Sequence, residues 1–217
     1  MGLSGSGSSE NSPDRAWDGF WEDRPEPVYS WAKKRVINIL GQYVGPGMRV
    51  LDAGCGTGFF SSYFISRGCD VCSIDCSDRA LSIARRVTKG SSEAYIKVDL
   101  LKDRLDRDFD VIFTDGLLEH YSPEEQDRII LNMKTMKKDK GYLINFAPNR
   151  FSLWSAIRPF CMNIKERPFT IKAFINLHSR NGMDVVSSGG ISVLPFRISP
   201  ERLLGRQFGM LFYCVAV

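Results

Sequence analysis

Residues 52–58, Asp52-Ala53-Gly54-Cys55-Gly56-Thr57-Gly58, put one acid and three alternating glycines on a single short stretch. Glycine permits a tight turn and lets the backbone approach a ligand that a Cβ would hold off. The carboxylate beside it offers a countercharge for a cation or an acceptor for N–H and O–H donors. Further acids follow at Asp75 and Asp99. The run Asp115-Gly116-Leu117-Leu118-Glu119-His120-Tyr121 adds an imidazole, whose ordinary pKa of about 6.5 suits proton removal near neutrality. A second chemical candidate is Cys69-Asp70-Val71-Cys72, a C-x-x-C in a chain of six cysteines. No second pair stands at zinc spacing, and the surrounding pattern is that of a strand, which sends Cys69 and Cys72 to opposite faces. The cysteines therefore read as free thiols in a reducing compartment, and no metal is expected there.

An alternation of strands and helices must position these groups. Arg49–Ala53, Asp70–Asp75, Ala94–Asp99, Phe109–Thr114 and Gly141–Ala147 have the short apolar character of buried strands. Helices are expected between them over Phe59–Arg67, from a Ser77 cap to Thr88, and from Ser122-Pro123-Glu124-Glu125 to Met136. The last start combines a capping serine, proline at the first helical position and acids in the first turn. Strands separated by helices of this length imply βαβ units and a parallel sheet. Ahead of them, Val28–Val44 carries apolar residues at helical spacing and ends at Gly45-Pro46-Gly47. Phe151–Ile164 reads as an aromatic-rich helical insertion, and Thr170 caps a helix over Ile171–Arg180. Val185–Val193 and Phe208–Val217 read as two closing strands joined by a loop bearing proline and arginine.

The 217 residues suit one domain over 14–217, preceded by a disordered Gly/Ser tail over 1–13. No apolar run approaches the roughly 20 residues of a membrane span, and no secretory leader pattern opens the chain, so a cytoplasmic protein is expected. The net charge of +4 is unevenly spread: residues 147–217 carry nine Lys/Arg against three Asp/Glu. A basic C-terminal third allows an anionic substrate, peripheral contact with a membrane surface or nucleic acid, or simply a solvated basic face.

Two nucleoside ligands suit the glycine turn. A dinucleotide needs G-x-G-x-x-G, and the third glycine position falls on Phe59. Pyrophosphate would also meet the like charge of Asp52. S-adenosylmethionine carries a cationic amino group and a sulfonium, has no phosphate, and is attracted where a pyrophosphate is repelled. Four segments then stand in order: VLDAGCGTG at Val50–Gly58, SIDCS ending its strand at Asp75, KVDL at Asp99, and FDVIFTDGLLEHY over Phe109–Tyr121. Together they resemble the class I S-adenosylmethionine-dependent methyltransferases, in particular the small-molecule group that includes quinone-biosynthesis enzymes. The likeness is strongest over Arg49–Asn149.

That resemblance implies a Rossmann-like α/β fold: a mostly parallel seven-stranded sheet with an antiparallel last strand and helices on both faces. It implies S-adenosyl-L-methionine as cofactor and S-adenosyl-L-homocysteine as product. Asp52, Gly54, Gly56 and Gly58 would line the methionine half. Asp75, with Cys76 beside it, would take the ribose. Asp99 and Leu100 would flank the adenine, while Asp115, Gly116 and Leu117 would lie near the reactive methyl. His120 becomes the candidate base, assisted by Glu119. Related quinone enzymes can carry a metal with an acid at the position of Gly116; its absence here again argues for none. The acceptor is expected to meet Trp17, Phe20, Trp21 and Tyr29, the Phe151–Phe160 segment with Trp154 and Arg158, Tyr121, and Leu194–Arg206. Aromatics with arginines suit an apolar small molecule bearing an anionic group. Two alternatives stay open: a methyltransferase of RNA or protein, and a cofactor-binding protein without transfer activity. Nucleic acid is disfavoured, because no recognition domain is appended, and either a monomer or a homodimer is compatible with the sequence.

Overall fold

A computed structural model of the chain describes residues 13–22, 27–157 and 166–217. Its centre is one seven-stranded sheet of order β3-β2-β1-β4-β5-β7-β6. β1 (Arg49–Ala53) lies between β2 (Asp70–Asp75) and β4 (Phe109–Asp115), parallel to both. β3 (Ala94–Lys97) extends one side in parallel, and β5 (Lys137–Pro148) extends the other. β7 (Leu211–Ala216) runs antiparallel to both β5 and β6 (Val185–Ile191). The expected sheet, with its antiparallel last strand, is what forms. The strand order reverses between β1 and β4, which opens a crevice at their carboxyl ends.

Strand alternation divides the core in two. Leu51, Ala53, Cys72, Ile112 and Leu143 face one side, where they meet α5 (Pro123–Thr135) through Ile129, Ile130 and Met133 and α7 (Ile171–Arg180) through Phe174 and Leu177. Val50, Val71, Val111, Phe113 and Ile144 face the other side, against α2 (Trp31–Leu40) and α3 (Phe59–Ser66). Cys69 belongs to the second cluster and Cys72 to the first, so the C-x-x-C is split by the sheet as expected.

Helix starts follow the capping residues. Ser77 accepts from Ala80 N ahead of α4 (Asp78–Val87), and Thr170 accepts from Ala173 N ahead of α7. Ser122 and Glu125 close a full capping box on α5. α3 instead opens on Gly58 at φ +74, where a Cβ would stand 2.8 Å from Ala84 Cα of α4. This glycine lets two helices meet.

The structure departs from the expectations at several ends. Pro13, assigned to the tail, opens helix α1 (Pro13–Glu22); residues 1–12 lie outside the described part. β5 begins at Lys137, four residues before Gly141, because ladder pairing of a solvated stretch does not require apolar side chains. β3 ends at Lys97 rather than Asp99, and β6 ends at Ile191, before Ser192 at φ +59. The closing loop contains a helix, α8 (Glu201–Phe208), whose interior Gly205 lies directly on Gly190 of β6. Of the insertion expected over Phe151–Ile164, Leu153–Ile157 forms α6, and residues 158–165 lie outside the described part.

Candidate active site

A cavity of about 340 Å³ sits over the carboxyl ends of β1, β2 and β4. Its floor is backbone. Gly54 and Gly56 take φ values of +73 and +51 after β1, a conformation that L side chains rarely adopt. A short 3₁₀ turn, Leu118–His120, follows Gly116 at φ +77 after β4.

Acids ring this floor. Asp52 is buried on β1, where Ser61 Oγ of α3 donates to it at 2.6 Å and is itself 2.8 Å from Ser73 Oγ. Burial pushes the Asp52 carboxyl up to about 7, more strongly than the Ser61 hydrogen bonds pull it down; the charges of Asp115 and Asp75 push the same way. Asp75 ends β2 and accepts from the backbone N–H groups of Gly56 and Ser77, each at 3.0 Å. One carboxylate therefore fixes both the glycine turn and the start of α4. Burial raises its pKa, while these backbone donors oppose the rise.

Glu119 and His120 stand on the 3₁₀ turn with Glu119 Oε1 3.9 Å from His120 Nε2. Glu119 is fully buried, and both residues line the cavity. The buried turn is pinned by Gln126, whose amide donates to Leu118 O and Tyr121 O. Beneath it, Thr114 Oγ1 donates to Asn145 Oδ1 at 2.6 Å, and Asn145 Nδ2 faces His178 Nε2 at 2.6 Å. The other ring nitrogen of His178 lies 2.8 Å from Phe174 O. Donation from the asparagine amide makes Nε2 the acceptor and Nδ1 the protonated nitrogen. Burial holds this imidazole down to about 4, which keeps it neutral.

The roof is made of side chains. Helix α1 lays Trp17, Phe20 and Trp21 over the opening. Trp17 meets His120 edge-on at 4.8 Å between centroids. The Trp21 ring covers Gly56 so closely that a Cβ there would stand 2.8 Å from it. Asp18 anchors α1 by accepting from Ser77 Oγ and Arg79 N at the start of α4. The far wall comes from the start of α2 (its cap Ser30, then Ala32, Lys33 and Val36), from Phe59, Phe60 and Phe113, and from Trp154, Met210 and Leu211.

Most sequence-derived candidates meet here: Asp52, Gly54, Gly56, Asp75, Cys76, Leu100, Asp115, Leu117, Glu119, His120, Tyr121, Trp21 and Trp154 all line the cavity. Three described candidates do not. Gly58 serves the α3–α4 contact instead. Asp99 turns to Lys102 and to Leu101 N, leaving Val98 and Leu100 on the wall. Tyr29 is exposed, its ring 6.4 Å from Phe59 at the rim. Arg158 lies outside the described residues. The Leu194–Arg206 stretch puts no side chain on the wall; Met210 and Leu211 stand there in its place.

Lys33 and Glu166 were missed. Glu166, Glu119 and His120 each bring one ligating atom within 4.8 Å of the others, a donor set that fits a divalent cation. Glu166 reaches them from 47 residues beyond Glu119, outside the sequence neighbourhood of Gly116.

Residues 50–141 match the family model described as a methyltransferase domain. Over that stretch, less than half of the chain, it is similar to methyltransferase domains. The chain is 33% identical over 140 residues to the ubiquinone biosynthesis O-methyltransferase of Paraburkholderia phymatum, covering 63% of this chain and 59% of that one. To the enzyme of the same description from Hahella chejuensis it is 33% identical over 115 residues, covering 51% and 48%. The match thus spans about half the length of these curated relatives. Among solved structures, the chain superposes on an N-methyltransferase from Bradyrhizobium japonicum in complex with S-adenosyl-L-homocysteine with a TM-score of 0.68, at 16% identity over 92% of this chain and 97% of that one. The magnesium protoporphyrin IX methyltransferase of Synechocystis with the same bound product gives a TM-score of 0.66, at 16% identity over 94% of each chain. Among the described residues, no helix is long and apolar enough to cross a membrane.

Proposed function

We propose that the protein is an S-adenosylmethionine-dependent methyltransferase that methylates an oxygen of a small, largely apolar acceptor. The observation that carries this reading is the charge of the cavity floor. Asp52, Asp75 and Asp115 meet around a positive-φ glycine turn, against a single lysine, Lys33, among the described lining residues, so a doubly charged pyrophosphate is disfavoured there. Such a floor suits a ligand that brings an α-ammonium and a sulfonium and offers ribose hydroxyls to Asp75. The oxygen acceptor is favoured by the description shared by the curated relatives.

In the proposed reaction the acceptor oxygen attacks the methyl carbon in line with the carbon–sulfur bond. A C–O bond forms, the C–S pair returns to sulfur, and S-adenosyl-L-homocysteine leaves. The protein's main contribution is alignment of the three atoms within a closed site. His120, packed against Trp17 and facing the cavity, takes the hydroxyl proton of the acceptor, and the neighbouring Glu119 carboxylate stabilises the resulting imidazolium. If Glu119, His120 and Glu166 held a divalent cation instead, it would itself lower the pKa of an acceptor hydroxyl and take the place of the base.

Calorimetric titration with S-adenosylmethionine, S-adenosylhomocysteine and NAD tests the reading. Saturable binding of the first two and none of the third is expected. Binding of NAD alone, or of none, rejects it.

A further inference from the structure

Helix α8 and the loop before it show solvent an apolar face. The helix rests on β6 through Gly205, which lies on Gly190. At about 100° per residue, Leu203 and Gln207 then stand furthest from the sheet, with Leu204 and Phe208 on one flank and Arg202 and Arg206 on the other. Leu203 is 84% exposed, and Phe196 and Ile198 of the loop are 64% and 85% exposed. The loop is anchored: the Arg35 guanidinium donates to Phe196 O and pairs with Glu201, which also accepts from Ser192 N. The fold thus holds these side chains in water, where each one costs hydrophobic free energy.

Charge on the face has one sign. Glu201 is the single acid over residues 185–217, and Arg35 neutralises it. Arg197, Arg202 and Arg206 are all exposed. Arg206 donates to Ser188 O, whereas the guanidinium groups of Arg197 and Arg202 have no hydrogen-bond or ion-pair partner among the described residues. The face also reaches the mouth of the cavity. Asn149 Nδ2 donates to Gln207 O and Gly209 O at the end of α8, which ties on the segment bearing exposed Phe151 and Leu153. Their neighbours Trp154 and Met210 line the cavity.

We propose that this face docks on an anionic lipid bilayer, with the three arginines at the headgroup phosphates and Phe196, Ile198, Leu203 and Phe208 in the acyl boundary beneath them. Charge complementarity selects that occupant. A second copy of the chain would set three arginines against three. A nucleic acid would meet the arginines and leave the leucine and isoleucine side chains unburied. A bilayer with acidic headgroups satisfies both components together, apolar burial and electrostatic attraction. Docked in this way, the mouth of the cavity opens towards lipid. The proposal concerns the surface and stands whether or not the cavity transfers a methyl group.

The test is flotation of the full chain with vesicles of phosphatidylcholine alone and of phosphatidylcholine and phosphatidylglycerol in equal parts. Wild type is expected to float with the mixed vesicles only, and salt should release it. Arg197→Gln/Arg202→Gln should weaken binding about fivefold for each arginine removed. Ile198→Ser/Leu203→Ser should no longer float. Both double variants should unfold at the temperature of wild type, since all four side chains are exposed. No flotation of wild type, equal flotation with both vesicles, or flotation retained by Ile198→Ser/Leu203→Ser overturns the proposal. So does a wild-type dimer in sedimentation velocity that Ile198→Ser/Leu203→Ser dissolves, which gives the face to a second copy.

Discussion

The floor and the roof of the cavity are built by different means. The floor is strand ends, positive-φ glycines and buried acids whose partners lie one or two elements away. The roof is side chains from α1, α2, α6 and the start of β7, the first two elements lying more than a hundred residues before the last two. A floor held by backbone hydrogen bonds is rigid and serves a constant ligand. A roof of packed aromatics can change residue by residue without disturbing the sheet. The difference suggests a division of labour, cofactor below and acceptor above.

Acid should separate the two regions first, through the floor's support. The folded His178 is held near 4, below its ordinary 6.5, so the unfolded chain takes up a proton in that interval and the folded chain does not. Stability contributed by the neutral ring is complete above about 6.5 and is lost as pH falls towards 4, by on the order of 3 kcal/mol. Urea titrations from pH 8 to 4 should show this slope. If His178→Gln folds and retains the same slope, another group is responsible.

Asp75→Ala removes the acceptor of Gly56 N and Ser77 N together with the expected ribose contact. Cofactor affinity should fall about a hundredfold, the scale of two lost hydrogen bonds from ribose hydroxyls to a buried carboxylate, while the circular dichroism spectrum stays that of wild type. Unchanged affinity would show that the floor is not the cofactor's seat.

A milder effect follows from Asp52. Its folded pKa is raised to about 7, so below that pH it is protonated and cannot face the cofactor's ammonium group. S-adenosylhomocysteine affinity should rise roughly tenfold from pH 6 to pH 8, levelling above 7, and Asp52→Asn should flatten the curve. The same raised pKa means that the ionised carboxylate weakens the fold as pH climbs from about 4 to 7, the cost of keeping a charge ready for a ligand.

The smallest effect belongs to the roof. Trp21→Ala should weaken cofactor binding only about three- to fivefold, because the indole covers the glycine turn without bonding to it, while the Michaelis constant of the acceptor rises more. A loss as large as that of Asp75→Ala would erase the distinction between floor and roof.

Legibility in sequence divides along the same line. The boundaries of β1, β2 and α7 were readable to the residue, because each is fixed by local signals: a short apolar run or a capping threonine followed by helical periodicity. The glycine turn was readable because positive φ leaves few other residues to choose. Lys33 was hidden, since a lysine on an amphipathic helix resembles any solvated one until the fold turns the first turn of α2 inward. Glu166 was hidden by distance along the chain. Asp99 was over-read: an acid after a strand was given to the ligand, yet it caps its own turn and pairs with Lys102. Helix α8 was read as loop because Pro200 and Gly205 punctuate it. That glycine is instead a packing device, since only a residue without a side chain fits against Gly190.

The chain has four tryptophans, and Trp17, Trp21 and Trp154 all border the same chamber. Most of the intrinsic ultraviolet emission of the molecule therefore originates within van der Waals reach of whatever occupies it. Occupancy changes the polarity and quenching around these indoles, so the unlabelled protein carries its own optical readout of ligand arrival and departure.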